Sequence, residues 1–159
     1  NIWRIGIMVR VMAVGIFDLL HAGHLHYLEQ AKSLGDELVV VVAHDDTVRK
    51  QKHEPITTQD LRRRMVEGLK PVDRAIAGNP PSVPIFEILE AVKPDVIALG
   101  YDQKHSIEAI REGISKFGYG HVEVIRVEGL SDDLDGTRKI ISRILDLWPG
   151  AEGGPYEED

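Results

Sequence analysis

Short apolar runs alternate with longer stretches of mixed polarity along this chain. Five runs have the length and the β-branched content of strands, and the longer ones show almost no alternation between apolar and polar residues. Continuous apolar strands are typical of a parallel sheet that is covered on both faces. The predicted strands are residues 9–17, 37–43, 74–77, 95–99 and 122–127.

The stretches between and after these runs have the polarity and the boundary residues of helices. The predicted helices are residues 24–34, 58–69, 84–92, 106–117 and 137–147. This alternation predicts an α/β fold, a single doubly wound domain with a five-stranded parallel sheet and helices on both faces. Ligands of such sheets bind beyond the carboxyl ends of the strands, where the strand order reverses. We therefore expect one crevice, lined by the residues that follow the strands.

The length of 159 residues suits one domain. We expect the folded domain at residues 8–149, followed by a flexible acidic tail at residues 150–159 that is rich in Gly and Pro. Residues 1–7 precede Met8 and the first predicted strand, and we interpret them as an upstream extension.

Composition narrows the classes of function. Because cysteine is absent, disulfides and thiolate metal sites are excluded, and a reducing, cytoplasmic location is expected. The net charge of −7, from 19 basic and 26 acidic residues, disfavours nucleic-acid binding over a broad surface. The apolar opening segment is too short for a membrane span and is interrupted by Arg4 and Arg10. We expect a soluble protein with neither nucleic acid nor membrane as a partner.

Candidate chemistry begins at the end of the first predicted strand. The run Gly15-Ile16-Phe17-Asp18 is followed by His21 and His24 at the start of a helix. Residues three apart share a helix face, so both imidazoles can face one ligand. Gly23 leaves the backbone open to a phosphate, and the first turn of a helix offers unpaired N–H groups to an anion. The segment predicts a nucleotide phosphate site.

Polar residues also follow the other strands, so cations and hydrogen-bond donors converge on one rim. The second strand leads to a basic segment that holds Lys50 and Lys52, which we expect to be a loop. The later strand ends contribute Gly100, Asp102, Arg126, Ser131 and Thr137.

The segment from Gly15 to His24 is similar to the GxFDxxHxGH signature of the cytidylyltransferase-like nucleotidyltransferases, a family with a Rossmann-like fold. Residues 72–76 resemble its V-D-x-x-I run, and Gly100-Tyr101-Asp102 resembles its G-x-D, which lies against the base. The similarity spans about residues 8–147. Within the family, residues 38–43, 46–50 and 98–103 look most like the archaeal FAD synthases.

The resemblance implies a role for each candidate. His21 and His24 would donate hydrogen bonds to the α-phosphate and the α–β bridge, while Lys50 and Lys52 resemble flexible-loop lysines that close over the phosphates. Arg126 would hold the β- and γ-phosphates together with a hydroxyl from either Ser131 or Thr137, because residues 132–135 interrupt the family pattern there. The remaining nucleotide-binding candidates are Gly15, Ile16, Phe17, Asp18, Gly23, Gly100 and Asp102.

Other roles stay open. Asp18 could orient an imidazole or a metal-bound water, and Arg62 is either the family's helix arginine or part of a structural ion pair. Mg²⁺ or another divalent cation is expected on the triphosphate, with no dedicated protein site. A zinc site is the competing interpretation of the histidines, which are His21, His24, His26 and His44.

The implied activity is FAD synthesis, in which a nucleoside triphosphate transfers its nucleotidyl group to FMN and pyrophosphate leaves. The sequence does not choose between ATP and CTP. One alternative is a CTP-dependent transferase acting on glycerol 3-phosphate or phosphoethanolamine, and another is a non-catalytic nucleotide sensor. Relatives commonly pair, so a homodimer is expected.

Overall fold

A computed structural model describes residues 6–131 and 136–150. Predictions for residues 1–5, for the acidic segment 132–135 and for the tail residues 151–159 lie outside these ranges. Within the described ranges, no helix is both long and apolar enough to cross a bilayer. The strands are β1 Arg10–Gly15, β2 Glu37–Val42, β3 Arg74–Ala77, β4 Val96–Leu99 and β5 Glu123–Arg126. The helices are α1 Ala22–Lys32, α2 Asp45–Gln51, α3 Gln59–Glu67, α4 Phe86–Val92, α5 Ile107–Ser115 and α6 Thr137–Leu147.

The five strands form one sheet in the order β3-β2-β1-β4-β5, and every neighbouring pair is parallel. The chain moves outward from β1 to β3 and then returns to place β4 on the other side of β1. The strand order therefore reverses between β1 and β4, where the crevice of a doubly wound sheet opens. The predicted fold class is confirmed.

Both faces of the sheet are covered by helices. Val11 and Ala13 of β1 face the cluster that includes Leu28 of α1 and Val66 of α3, whereas Met12 faces the cluster built by α4 and α5. Successive strand residues point to opposite faces, so two covered faces require a continuous apolar strand. Each fully buried valine or leucine stabilises this arrangement by about 1.5–3 kcal/mol.

One helix was not predicted. Residues 45–51 form α2, so the basic segment that holds Lys50 begins within a helix and not in the loop that we expected. The His44 imidazole caps this helix by accepting from the Asp46 amide at 3.1 Å, and Val48, in the middle of the helix, is fully buried. Lys50 therefore lies in the last helical turn, and Lys52 is the residue at which the helix ends.

Candidate functional site

The crevice begins where β1 and β4 separate. Their ladder ends with Ala13 opposite Ala98, and beyond this pair the Tyr27 side chain of α1 joins the two strands. Its hydroxyl donates to the Ala98 carbonyl at 2.6 Å and accepts from the Val14 amide at 3.3 Å. Burial raises the pKa of Tyr27 above its usual range, so the hydroxyl remains a donor. Tyr27 therefore links β1 to β4 just beyond their last ladder pair.

The loop between β1 and α1 has an uncommon backbone. Phe17 and Leu19 have φ angles of 57° and 49°, in the left-handed region that costs energy for residues other than glycine. The Phe17 ring folds back over Gly15, where a Cβ atom would lie only 2.8 Å from it. The centroid of the Phe17 ring lies 5.4 Å from that of His24, which it meets edge-on, and 6.3 Å from that of Tyr27, to which it is nearly parallel. The glycine-x-phenylalanine spacing thus builds a support for His24.

His21 and His24 cap α1 reciprocally. His21 Nδ1 accepts from the amides of Gly23 at 3.1 Å and His24 at 3.4 Å, while His24 Nδ1 accepts from the His21 amide at 3.3 Å. This is a capping box in which imidazoles replace the usual hydroxyl and carboxylate. The expectation that the first-turn amides are open to an anion is wrong for Gly23 and His24. A neutral imidazole that accepts at Nδ1 carries its hydrogen on Nε2.

The charge state of His24 agrees with that tautomer. The two rings stack, with centroids 3.7 Å apart. Burial and, second, repulsion from His21 in its protonated form lower the pKa of His24 to about 3, and the charge of Lys52 acts in the same direction. The opposite effect of Asp18 is smaller than that of burial or His21. His24 is therefore an uncharged hydrogen-bond donor at neutral pH.

Asp18 joins the loop between β1 and α1, residues 16–21, which we call the histidine loop, to the connection between α2 and α3. It is 5% exposed, and its carboxylate accepts from the Ile56 amide at 2.6 Å, the Thr57 amide at 3.1 Å and the Thr57 hydroxyl at 2.7 Å. Burial alone would raise the pKa of Asp18. The hydrogen bonds and the charge of Arg62 outweigh burial and lower it, so Asp18 is ionised.

Arg62 of α3 is the buried cation of this region, with 1% exposure. Its guanidinium donates to Ile16 O at 2.7 Å, Thr57 O at 3.0 Å and Asp45 Oδ1 at 2.6 Å. Of the two interpretations for Arg62, the structure shows the structural ion pair. One side chain thereby connects the histidine loop, α2 and the segment before α3.

Arg126 organises the loop after β4. Its guanidinium donates to Gly100 O at 2.9 Å and to Gln103 O at 2.8 Å, and it also contacts His105 O. Asp102 is exposed, with one carboxylate oxygen 3.4 Å from where a Gly100 Cβ would lie. Contact of Arg126 with phosphates stays a prediction, because the structure shows this side chain holding the loop.

The remaining candidates lie around the histidine loop. Thr137, at the first position of α6, donates from its hydroxyl to Asp18 O at 2.8 Å. Ser131 is exposed, and so are Lys50 and Lys52 at the end of α2. The structure therefore brings together Gly15, Ile16, Phe17, Asp18, His21, Gly23, His24 and Thr137.

Three side chains that hold together the segments around the strand ends were not singled out from the sequence. Tyr27 has no assigned role in the sequence pattern, although it shares a helix face with His24 three residues earlier. Gln103 ends the segment recognised after the fourth strand but received no role, and nothing in the sequence around Thr57 signals its bond to Asp18. Among residues 6–131 and 136–150, no group of three or more His, Asp or Glu side chains could hold a metal ion.

Comparison with known proteins agrees with this geometry. A family model described as Cytidylyltransferase-like matches residues 12–135. The FAD synthase of Aciduliprofundum boonei is 54% identical over 140 residues, covering 87% of this chain and 92% of that protein. The FAD synthase of Thermococcus onnurineus is 46% identical, covering 88% of this chain and 93% of that protein.

A solved structure supports the same placement. The protein from Thermoplasma volcanium described as a lipopolysaccharide core biosynthesis protein has a TM-score of 0.74 and 45% identity to this chain. The match covers 78% of this chain and 99% of the other. The matches extend over most of the chain, and the histidine loop lies within them. The chain belongs to the cytidylyltransferase-like family.

Proposed function

We propose that this protein is an FAD synthase, which transfers the adenylyl group of ATP to the phosphate of FMN and releases pyrophosphate. The observation that carries the proposal is the pair of stacked imidazoles whose Nδ1 atoms cap α1, which puts the hydrogens of both neutral rings on Nε2 just beyond the carboxyl end of β1. We take FMN as the acceptor and ATP as the nucleotide from the name FAD synthase, which three relatives of 46% to 54% identity carry.

The chemistry needs no general base. The second pKa of a phosphate monoester is near 6, so FMN presents a dianionic oxygen at neutral pH. This oxygen attacks the α-phosphorus of ATP in line, a new P–O bond forms, and the bond to the bridging oxygen breaks as pyrophosphate leaves. Catalysis then consists of positioning and of stabilising charge on the phosphate oxygens. Donors at His21 Nε2 and His24 Nε2 suit both tasks.

Other residues would hold the triphosphate. Lys50 and Lys52 are exposed cations at the end of α2, and we assign them to closing over the phosphates when FMN arrives. Between the two candidate hydroxyls we favour Thr137, because it already lies against the histidine loop, whereas Ser131 is exposed. Mg²⁺ enters as part of the substrate, bound by the phosphate oxygens of ATP. Both oxygens of Asp18 are already hydrogen-bonded, which agrees with that arrangement.

The proposal is tested by product identity. Purified protein with Mg²⁺ and either ATP or CTP is incubated with FMN, glycerol 3-phosphate or phosphoethanolamine, and products are identified by mass. FAD and pyrophosphate from ATP and FMN are expected. A CDP-linked product from CTP and one of the smaller acceptors, with no dinucleotide from FMN, would replace the proposal by the cytidylyltransferase alternative. Binding without turnover would indicate a nucleotide sensor.

A variant separates chemistry from helix capping. Asparagine is a good N-cap residue, so His21→Asn keeps a cap acceptor while removing the Nε2–H donor. We expect the rate to fall by about 10²–10³, with little change in melting temperature. His26→Asn, on the same helix, is the matched control and leaves the rate unchanged. A His21→Asn enzyme with the wild-type rate would remove this residue from the site.

We also propose that the enzyme is a cytoplasmic homodimer. The absence of cysteine suits a reducing compartment. The end of α6 exposes apolar side chains that a second copy could cover, with exposed fractions of 43% for Ile144, 58% for Leu145 and 53% for Leu147. Light scattering of the purified protein should give twice the chain mass, and Leu145→Glu should return it to the mass of one chain.

A further inference from the structure

The side chain of Gln103 spans the point where β1 and β4 separate. Its Nε2 donates to Val14 O at 2.8 Å, and its Oε1 accepts from the Gly100 amide at 3.1 Å. Both backbone groups lie just beyond the last ladder pair of these strands, Ala13 and Ala98. The carboxamide therefore continues the connection between two strands whose backbones no longer pair.

The loop after β4 holds Gln103 in this position. The Gln103 amide donates to Gly100 O at 3.2 Å, which closes a tight turn, and Arg126 donates to the carbonyls of both residues. Gly100 itself is buried, whereas Gln103 is partly exposed and thus accessible from the crevice. The turn therefore holds the Gln103 side chain against the Val14 carbonyl and the Gly100 amide.

Those two groups form a definite recognition pattern, an acceptor at Val14 O beside a donor at Gly100 N–H. A carboxamide presents the same pattern of one acceptor and one donor, and carboxamides pair with adenine through its N6 amino group and an adjacent ring nitrogen. The backbone pair is therefore complementary to adenine in the way a carboxamide is. Cytosine offers an amino group beside a ring nitrogen as well. A 6-oxo purine reverses the order and would place oxygen against oxygen.

We propose that Val14 O and Gly100 N–H read the amino edge of the nucleotide base, and that Gln103 is a built-in mimic of that edge which the base displaces. This inference rests on the proposed function, since it concerns the triphosphate of the same reaction. Gln103 keeps both backbone groups hydrogen-bonded and competes with the base for them. Gln103 thus acts on nucleotide affinity, whereas the two backbone groups set the choice of base.

Calorimetric titration of the intact protein tests the proposal, using ATP and ITP with Mg²⁺, because the two nucleotides differ only at the 6-position of the purine. We expect ATP to bind about tenfold or more tightly than ITP, in line with the discrimination that a bidentate base contact provides. Gln103→Ala should strengthen ATP binding about twofold to tenfold by removing the competitor, lowering the KM for ATP while kcat and the KM for FMN stay constant. Lys104→Ala, an exposed neighbour in the same loop, is the matched control.

The outcomes separate the two proposals. Weaker or unchanged ATP binding in Gln103→Ala, with Lys104→Ala like the wild type, would overturn the role of Gln103 and indicate a structural support for the loop. Equal affinity of the wild type for ATP and ITP would overturn the reading of the amino edge, whether or not the variant folds. If the wild type binds neither ATP nor CTP, the proposed function fails and this inference fails with it.

Discussion

The imidazoles of His21 and His24 each serve two purposes through different nitrogen atoms. Nδ1 holds the first turn of α1, and this bond leaves the hydrogen on Nε2, which faces away from the helix backbone. Protonation at Nδ1 would break the cap and charge a half-buried ring at once. The tautomer that caps the helix is therefore the same one that carries the Nε2–H donor.

This linkage predicts how stability depends on pH. His24 has a folded pKa of about 3 against an ordinary value of 6.5, so the unfolded chain binds the proton more readily. The contribution of His24 is fully present above about pH 6.5 and is lost progressively as pH falls towards 3. Urea unfolding at pH 7 and pH 4.5 should show a smaller loss of stability in His24→Gln than in the wild type.

Protonation of Asp18 contributes little to the change in unfolding free energy between pH 7 and pH 4.5. Its pKa lies below its ordinary 3.8, so its protonation affects stability at more acidic pH. Equal losses of unfolding free energy in the wild type and His24→Gln between pH 7 and pH 4.5 would show that His24 titrates normally.

A second residue-scale prediction concerns Gly15. A Cβ atom there would lie 2.8 Å from the Phe17 ring, so Gly15→Ala must displace the ring that supports His24. We expect kcat/KM to fall about tenfold to hundredfold, because small errors in the placement of a catalytic group are costly. Steady-state kinetics of FAD formation measures the effect.

Gly113 in α5 supplies the control, since a Cβ atom there meets nothing within 4 Å. Gly113→Ala should stabilise the protein by about 0.5–1 kcal/mol and leave kcat/KM unchanged. A Gly15→Ala enzyme with wild-type kinetics would mean that the Phe17 support is unnecessary.

At the scale of elements, α2 is anchored at its start. Asp45 at its start forms the ion pair with Arg62, and the Asp45 amide donates to the Gln59 side chain at 2.8 Å. Lys50 and Lys52 at its other end are exposed. The helix is thus anchored on one side and presents cations on the other, which is the arrangement needed for lysines that approach phosphates.

Removal of the Arg62 anchor should be strongly destabilising. Arg62→Leu leaves Asp45 without its buried partner and deprives the carbonyls of Ile16 and Thr57 of a donor. We expect a loss of about 3–5 kcal/mol in unfolding free energy, measured by urea denaturation. Arg64→Leu, an exposed arginine on the same helix, should change it by no more than about 0.5 kcal/mol.

If Arg62→Leu does not fold, Arg62→Lys provides the measurement, because lysine keeps the charge but cannot reach three acceptors with a planar fork. An intermediate loss is expected. Equal, small effects at positions 62 and 64 would contradict the anchoring role.

For the whole molecule, the site depends on the docking of α6 against the histidine loop. The Thr137 hydroxyl reaches the carbonyl of Asp18 across 119 positions of sequence. Thr137→Val keeps the shape of the side chain and removes that donor. We expect a small decrease in melting temperature and about fivefold weaker ATP binding, of the order of one hydrogen bond.

Thr137→Ser retains the hydroxyl and should restore ATP affinity, as measured by calorimetry. If Thr137→Val lowers the melting temperature while ATP affinity is unaltered, Thr137 serves only to dock α6, and Ser131 becomes the candidate for the phosphate contact.

Local patterns in the sequence determined much of this protein. Apolar runs located all five strands, because a strand covered on both faces admits few polar residues. The spacing of His21 and His24 and the glycine before Phe17 were visible for the same reason, since they act within one turn and one helix start. The short α2 was not predicted, because the basic residues of that segment suggested a loop and nothing in the sequence indicated that His44 caps a helix.

Only the tertiary structure decided how these parts meet. Asp18 binds the Thr57 hydroxyl 39 positions away, and Gln103 binds the Val14 carbonyl 89 positions away. A single threonine and a backbone carbonyl give no pattern in the sequence that would reveal these contacts. Such contacts have no periodicity, because chain crossovers rather than neighbouring residues bring the partners together. The residues proposed for the phosphate site were therefore recognisable from the chain, whereas the network that positions them depended on the order in which the strands assemble.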